Sequence, residues 1–396
     1  MIERRIYKKI KDHLKERQVT VITGIRRCGK TTLMKMLFNS IKSKNKLYLD
    51  LEAISNRIFF DENKYENILL KLQNIYGLTT DSKIYLALDE IQYVKNIPGI
   101  VKYLYDHYNI KFILTGSSSY YLKNLFTESL AGRKKIFELY TLDFYEYLKF
   151  KNVFTGNQPF LQKKFFIDSY INLNEFYNDF IKFGGFPEVV LNRNINAKVD
   201  LLKDILDSYL RVDIKNLSDF DNYSNLYKIL KSLASRVGNK LDIMTISRIT
   251  GISRATVSNF IELFEGTYLI YRIPVYSINP AREIIKTPKL FFQDNGLLNT
   301  LAEIGSGVQF ENSVFNQLKH HGKLNYYSLK TGREIDFILD NKIAMEVKEH
   351  AGDFDIKRLN RLSSNISIKN NYMIFRYAPP NDFSSGTNFI WGGDIL

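Results

Sequence analysis

Cysteine is all but lacking here: Cys28 is the only one in 396 residues. A lone thiol closes no internal disulfide and builds no cysteine metal cluster, which sets aside disulfide-stapled secreted scaffolds and fits a reducing compartment. No apolar run approaches the roughly 18 residues that a membrane helix needs. The opening residues, "MIERRIYKKIKDHLKERQ", read as a charged amphipathic helix and not as a secretion signal. Internal repeats and low-complexity linkers are lacking as well. Together these absences predict a cytoplasmic protein without membrane contact.

Acidic residues are outnumbered, 42 Asp and Glu against 56 Lys and Arg, for a net charge of +14. Such a surplus attracts polyanions, so DNA is an expected partner, although a lysine-rich composition yields the same number by drift. The cations are spread along the chain and form no tail. At this length two to four domains are expected.

What is present begins with an α/β pattern. The runs "VTVITG", "KLYLDLE", "KIYLALDE" and "KFILTGSSS" alternate with amphipathic stretches over residues 18–150, as in a parallel sheet. Residues 150–232 turn helical and are interrupted at "FGGFPEVV", where Gly184, Gly185 and Pro187 mark a turn. A helix-turn-helix follows within 233–278, and 279–396 is mixed α and β.

"GIRRCGKTT", comprising Gly24, Ile25, Arg26, Arg27, Cys28, Gly29, Lys30, Thr31 and Thr32, fits G-x-x-x-x-G-K-[ST] between a strand and an apolar-periodic helix. The glycines let backbone N–H groups turn toward phosphate, Lys30 reaches the β/γ-phosphates of ATP, and the Thr31 hydroxyl meets Mg2+. Cys28 is either an activated thiol at a helix start or the filler of a small slot. In "IYLALDEIQ" two carboxylates end a buried strand, a costly choice unless they emerge at its tip. There Asp89 holds magnesium and Glu90 orients or deprotonates the attacking water. Thr115 and Ser117 sit where a γ-phosphate sensor belongs, or cap the strand. Arg133 in "LAGRKK" neutralises phosphate in its own chain or a neighbouring subunit, or is a surface arginine.

In "TISRITGISRATVSNFIELFEG" Gly251 separates two helices and Ser253 is the N-cap of the second. Val257, Phe260, Ile261 and Phe264 share a core-facing stripe, leaving Arg254, Ser258 and Asn259 exposed. These would meet a major groove, although Glu262 on the same side argues against it; a packing module is the alternative.

"TGREIDFILDNKIAMEVKEH", residues 331–350, reads as two short strands. Glu334 and Asp336 share one face of the first, and Ala344, Glu346 and Lys348 share one face of the second. A three-residue turn at Asp340–Lys342 sets Asp336 opposite Glu346, whereas a two-residue turn mixes charged and apolar faces.

The combination of "GIRRCGKTT", "LDEIQ", "LTGSSS" and "LAGR" followed by "FELYTLDFYEYL" resembles the prokaryotic AAA+-type ATPases that also carry a C-terminal domain of unknown function. The likeness continues through "GGFPEVV", "TPKLFFQDNGLL" and "FENSVFNQL" and spans nearly the whole chain. It implies a P-loop AAA+-like ATPase domain over 1–149, a helical connector over 150–232, a winged helix over 233–278 and a PD-(D/E)XK nuclease-like α/β domain over 279–396. Lys30, Thr31, Asp89 and Glu90 match the ATPase motif positions, with Arg133 as the family arginine. In the last domain the spacing D…E-x-K makes Asp336 and Glu346 candidate Mg2+ ligands and Lys348 a catalytic partner, with Glu334 and Glu311 nearby. The leading expectation is an ATPase acting on DNA; the competing one is an ATP-switched scaffold with an inactive nuclease-like fold that engages a protein partner or forms a homo-oligomer.

Overall fold

Strands rich in Val, Ile and Leu on both faces need cover on both faces, and the first sheet has it. The computed structural model describes residues 2–62, 64–116, 130–153, 161, 165, 167–214, 223–277, 283, 286–378 and 388–395. These fall into two compact units. The first runs up to Tyr140, with short segments at Arg211 and Gly266–Tyr268, and the second holds the rest.

In the first unit β1 (Val19–Thr23), β2 (Lys46–Asp50), β3 (Ile84–Asp89), β4 (Ile110–Gly116) and β5 (Lys134–Glu138) form an all-parallel sheet in the order β2-β3-β4-β1-β5. The helices are α1 (Tyr7–His13), α2 (Lys30–Ser40), α3 (Ile54–Phe59), α4 (Tyr65–Tyr76) and α5 (Ile97–His107). Leu86, Leu88, Phe112 and Leu114 meet Ile100, Val101 and Leu104 of α5 in one core. Four strands were expected. The fifth, "KKIFE", is an edge strand with Phe137 as its one buried side chain, so its charges disguise it. The helix expected at the start is only the short α1. Lys111, fully buried on β4, donates from Nζ to the His13 carbonyl at 2.9 Å and to that of Gln18. Burial, reinforced by the Lys83 charge, pushes its pKa down to about 7.

The second unit begins with α6 (Phe144–Phe150), α7 (Ile167–Phe183), α8 (Pro187–Leu191), α9 (Ile195–Ser208) and α10 (Tyr223–Ala234). Next come α11 (Ile243–Thr250), α12 (Arg254–Gly266) and an antiparallel ribbon of β6 (Ile270–Ile273) with β7 (Lys289–Phe292). After α13 (Asn295–Leu301) and α14 (Ser306–Leu318) a second sheet follows, formed by β8 (Leu324–Ser328), β9 (Glu334–Leu339), β10 (Ile343–Lys348), β11 (Asn370–Phe375) and β12 (Asn388–Trp391). Pairing is antiparallel from β8 to β10 and parallel from β10 to β12, with α15 (Asp353–Ser364) crossing between β10 and β11. Within this unit α13 packs on α7, α9, α10 and α14.

One carboxylate explains three of the sequence's most distinctive stretches. Asp294 is buried and accepts from the N–H groups of Gly296 and Leu297, capping α13, and from that of Gly185 at 2.7 Å. A Cβ on Gly184, which has φ +73, would stand 2.0 Å from Asp294 Oδ1, and one on Gly185 would stand 2.1 Å from the Leu142 carbonyl. Glycine is therefore required at both positions. Asn312 of "FENSVFNQL" completes the arrangement: it accepts from the Phe292 N–H at 2.8 Å and donates to the Phe292 carbonyl and to Asn295 Oδ1. Replacing Asp294 with Ala removes a cap and strands three buried N–H donors, so it should destabilise the second unit by about 3–5 kcal/mol. The lone tryptophan, Trp391, is buried in that unit, and its fluorescence during urea unfolding reads the loss directly.

Candidate functional site

All five strands of the first sheet end on one edge, and the phosphate-loop residues follow β1, which lies between β4 and β5. Gly24 has φ +156, and a Cβ there would meet the Leu139 carbonyl at 2.1 Å; Gly29, at φ +103, is the N-cap residue of α2. Between them lie Ile25, Arg26, Arg27 and Cys28, with Arg27 at φ +63. Cys28 is fully buried and its Sγ lies 3.3 Å from the Leu139 carbonyl. Burial pushes its thiol up, so the activated-thiol reading gives way to the small-slot one. Arg4, which sequence reasoning passed over, fixes the loop from below by donating to the Cys28 and Tyr140 carbonyls at 2.9 and 2.8 Å.

Lys30 is buried at the start of α2 and donates to the carbonyls of Gly24 and Ile25 at 3.0 and 3.1 Å. Neutral acceptors leave its positive charge uncompensated inside the loop. Thr31 and Thr32 continue the first turn of α2. Asp89, 1% exposed at the tip of β3, is held by two hydroxyls: Tyr48 donates to Oδ2 at 2.8 Å and Thr115 to Oδ1. Thr115 also accepts from the Glu90 N–H at 3.2 Å and lies beside Ile22 of β1. Glu90 sits in the left-handed region, φ +52 and ψ +51, and accepts from Gln92. A carboxylate-bearing residue there is uncommon and marks a position held by its surroundings. Thr31 and Asp89 offer only oxygen, the donor type magnesium takes.

Thus Lys30, Asp89, Glu90 and Thr115 all lie at the sheet edge where β1, β3 and β4 end. Tyr48 and Gln92 were not singled out from sequence; "KLYLDLE" carries a weak signal for the first, since an aromatic hydroxyl two residues before a strand end lies beside the neighbouring strand's tip. Burial, then Asp89, raises the Tyr48 hydroxyl's pKa, so it stays a donor. Ser117 lies outside the described residues. Arg133 is a correction for action within its own chain. It precedes β5 at the opposite end of the sheet, roughly 16 Å of strand from the edge that carries the loop, and pairs with Asp106 at 2.8 Å.

In the second unit the helix-turn-helix forms as expected. Gly251 is left-handed at φ +72, the Ser253 hydroxyl accepts from the Thr256 N–H at 3.2 Å, and Val257, Phe260, Ile261 and Phe264 are buried. Arg254, Asn259 and Glu262 are exposed and Ser258 is half-buried.

The β9–β10 hairpin has the expected register. Leu339 pairs with Ile343 and Phe337 with Met345, so the next pair sets Asp336 opposite Glu346, across a turn in which Asp340 and Asn341 have positive φ. The charged face, however, is not solvated. Asp336 and Glu346 are buried, and Ile338 and Ala344 on the same faces pack with Ile356, Leu359 and Leu362 of α15. Lys289 of β7 enters this site, 2.8 Å from Glu334 and 3.6 Å from both Asp336 and Glu311. Lys348 lies 3.0 Å from Glu346 and 3.9 Å from Asp336, and Arg358 pairs with Glu346. The Val347 N–H donates to Asp336. Burial alone would lower the Lys289 pKa, but Asp336, Glu311 and Glu334 outweigh it and hold the ammonium charged. Burial, reinforced by Asp336, raises both Glu311 and Glu346.

The sequence thus brings Glu311, Glu334, Asp336, Glu346 and Lys348 together but misses Lys289 and Arg358. Among the described residues no group of three His, Cys, Asp or Glu is arranged to hold a metal ion. Lys289, Lys348 and Arg358 face Asp336 and Glu346, where Mg2+ was expected, while Glu346 Oε2 and the nearby Glu311 Oε1 are buried without a hydrogen-bond partner. The only early signal was a lysine inside the apolar "TPKLFF".

Comparison with known proteins agrees with the first half of this description. A family model described as an AAA domain matches residues 16–148, and one described as a domain of unknown function, DUF8612, matches 174–307. An uncharacterized protein of Methanocaldococcus jannaschii is 29% identical over 380 residues, covering 91% of this chain and 82% of that one. One from Haemophilus influenzae is 28% identical over 379 residues, covering 89% and 87%. Among solved structures, AMPPCP-bound DnaA from Aquifex aeolicus is similar with TM-score 0.29 and 20% identity over 67% of this chain and 89% of that chain, a likeness too slight to carry argument. No helix among the described residues is long and apolar enough to cross a membrane. The parallel sheet, the loop around Lys30 and the family match together make the N-terminal third of this chain an AAA-type P-loop domain.

Proposed function

We propose that the protein hydrolyses ATP at the loop around Lys30 and that nucleotide state controls how its second unit engages DNA. The observation that carries the first half is the convergence of Lys30, Asp89, Glu90 and Thr115 on one sheet edge. Lys30 exchanges the Gly24 and Ile25 carbonyls for phosphate oxygens. Thr31 and Asp89 would hold magnesium, which when bound would neutralise charge on the nucleotide's phosphates. Tyr48 and Thr115 orient Asp89, and Glu90, once released by Gln92, takes the proton of the attacking water. Arg133 has its place in this reading only as a residue offered to a neighbouring subunit.

DNA engagement rests on the net charge of +14 and on α12, whose order after α10 and α11 and before the β6–β7 ribbon fits a winged helix. Helix, three strands, crossover helix and strand from α14 to β11 fit a nuclease-like fold. The ammonium of Lys289 among its acids favours the reading in which this fold binds and does not cut.

Replacing Lys30 with Ala should abolish ATP binding, whereas Glu90→Gln should retain ATP and lose turnover by about a hundredfold or more. Nucleotide titration and phosphate release check both, and equal turnover in wild type and Glu90→Gln would remove Glu90 from the reaction. Duplex DNA should bind with an affinity that falls steeply with salt and varies little with sequence; a flat salt titration leaves the scaffold reading.

The buried acids carry a pH signature of their own. Glu311, pushed up to about 8 chiefly by burial, binds its proton more tightly folded than unfolded. Its stabilising contribution is then complete below its unfolded value and is lost as pH rises toward 8. The stability of wild type minus that of Glu311→Gln, read from Trp391, should fall by roughly 3–4 kcal/mol between about pH 5 and pH 8. A constant difference would mean that Glu311 titrates as an ordinary carboxyl. Taking the difference cancels Lys111, which titrates near the upper end of this range.

A further inference from the structure

A cavity of about 1010 Å³ opens in the second unit between α10, the end of α11 and the end of α13. Its lining is unlike that of the acid cluster. Lys228 and Lys231 stand exposed on the face of α10 that also carries Tyr227, and Arg236 follows just beyond that helix. The Arg236 guanidinium is fixed by neutral acceptors alone: Nη1 donates to the Ser232 carbonyl at 2.9 Å and lies 3.1 Å from the hydroxyls of both Ser232 and Ser235. None of the three cations makes an ion pair among the described residues, and one carboxylate, Glu303, shares the lining. A guanidinium oriented by hydroxyls and a carbonyl keeps its full charge for an incoming anion.

A further feature narrows the ligand. The Tyr227 ring is 42% exposed, leaving an aromatic face free to stack. Asn299 also lines the cavity, its amide nitrogen tied to the carbonyls of Ile181 and Lys182 at 3.1 and 2.8 Å, while its buried Oδ1 has no hydrogen-bond partner. Exposed cations beside an exposed aromatic face match a nucleotide unit with its base exposed. A duplex keeps its base faces stacked inside, and an acidic peptide brings no ring to Tyr227.

We propose that this cavity binds single-stranded nucleic acid, with backbone phosphate on Lys228, Lys231 and Arg236 and a base against Tyr227. The inference rests on the nucleic-acid half of the proposed function but assigns it to a surface other than α12. The test is fluorescence anisotropy of the full chain with a short labelled oligothymidine, a duplex, and polyglutamate as competitor. In the Lys228→Ala/Lys231→Ala double variant the oligothymidine Kd should rise about tenfold, and the slope of log affinity against log salt should drop by about 1.4, at roughly 0.7 per phosphate contact. In Tyr227→Ala the Kd should rise about tenfold with the slope unchanged, as loss of one stacked base predicts. Arg254→Ala on α12 should leave oligothymidine binding as in wild type. All the substituted side chains are exposed, and the Trp391 signal confirms folding. Oligothymidine binding unaffected by the cavity variants, or displaced by polyglutamate as readily as by unlabelled strand, overturns the assignment. Wild type that binds duplex but not oligothymidine overturns it while leaving the DNA reading intact, and wild type that binds neither overturns both.

Discussion

A parallel sheet has one carboxyl edge, and the chemistry of the first unit follows from that constraint. Because β1, β3 and β4 run the same way and lie side by side, the loop after Thr23, the tip at Asp89 and the hydroxyl of Thr115 come together although they are far apart in sequence. The same constraint sends Arg133 to the other end, since it precedes β5. The interior of the sheet is apolar, so the polar groups at this edge satisfy one another: Tyr48 and Thr115 hold Asp89, Thr115 also accepts from Glu90, and Lys30 borrows carbonyls of its own loop. These contacts leave the site preformed yet polar, with partners that phosphate oxygens and water can replace.

The second unit answers a different demand: buried charge must find partners. It does so in two ways. Asp294 pairs with no cation among the described residues and accepts from three backbone N–H groups, which ties the glycine turn at 184–185 to α13. The hairpin acids instead meet Lys289, Lys348 and Arg358, contributed by β7, β10 and α15. The first solution fixes backbone against backbone, whereas the second gathers side chains from three elements into one network, so that removing any single charge leaves others uncompensated.

Much of this was legible in the sequence, and the limits are instructive. The phosphate loop, Asp89, the helix-turn-helix stripe and the hairpin register each follow from local rules of spacing and parity, and these appear as expected at Gly29, Gly251, Val257 and the Leu339–Ile343 pair. What local rules could not show is who faces whom across sequence. Parity placed Glu334, Asp336 and Glu346 on charged faces but could not say whether water, metal or lysine would meet them; Lys289 comes from a strand 45 residues before Glu334. Tyr48 carried only a weak signal for the same reason, since its partner belongs to the adjacent strand. The edge strand β5 was missed because alternating charge at a sheet margin looks like a loop.

The two treatments of cations in the second unit bear on where a polyanion would be held. A net charge of +14 says only that cations are in surplus. The structure shows how differently they are employed: Lys289, Lys348 and Arg358 are taken up by internal carboxylates, while Lys228, Lys231 and Arg236 have no acidic partner among the described residues. An anion approaching the first set must compete with fixed acids at 3–4 Å, but one approaching the second meets charge that only water and neutral oxygens oppose. Lys228, Lys231 and Arg236 therefore stay open to an anion, whereas the hairpin acids tie the second sheet to the β6–β7 ribbon through Lys289.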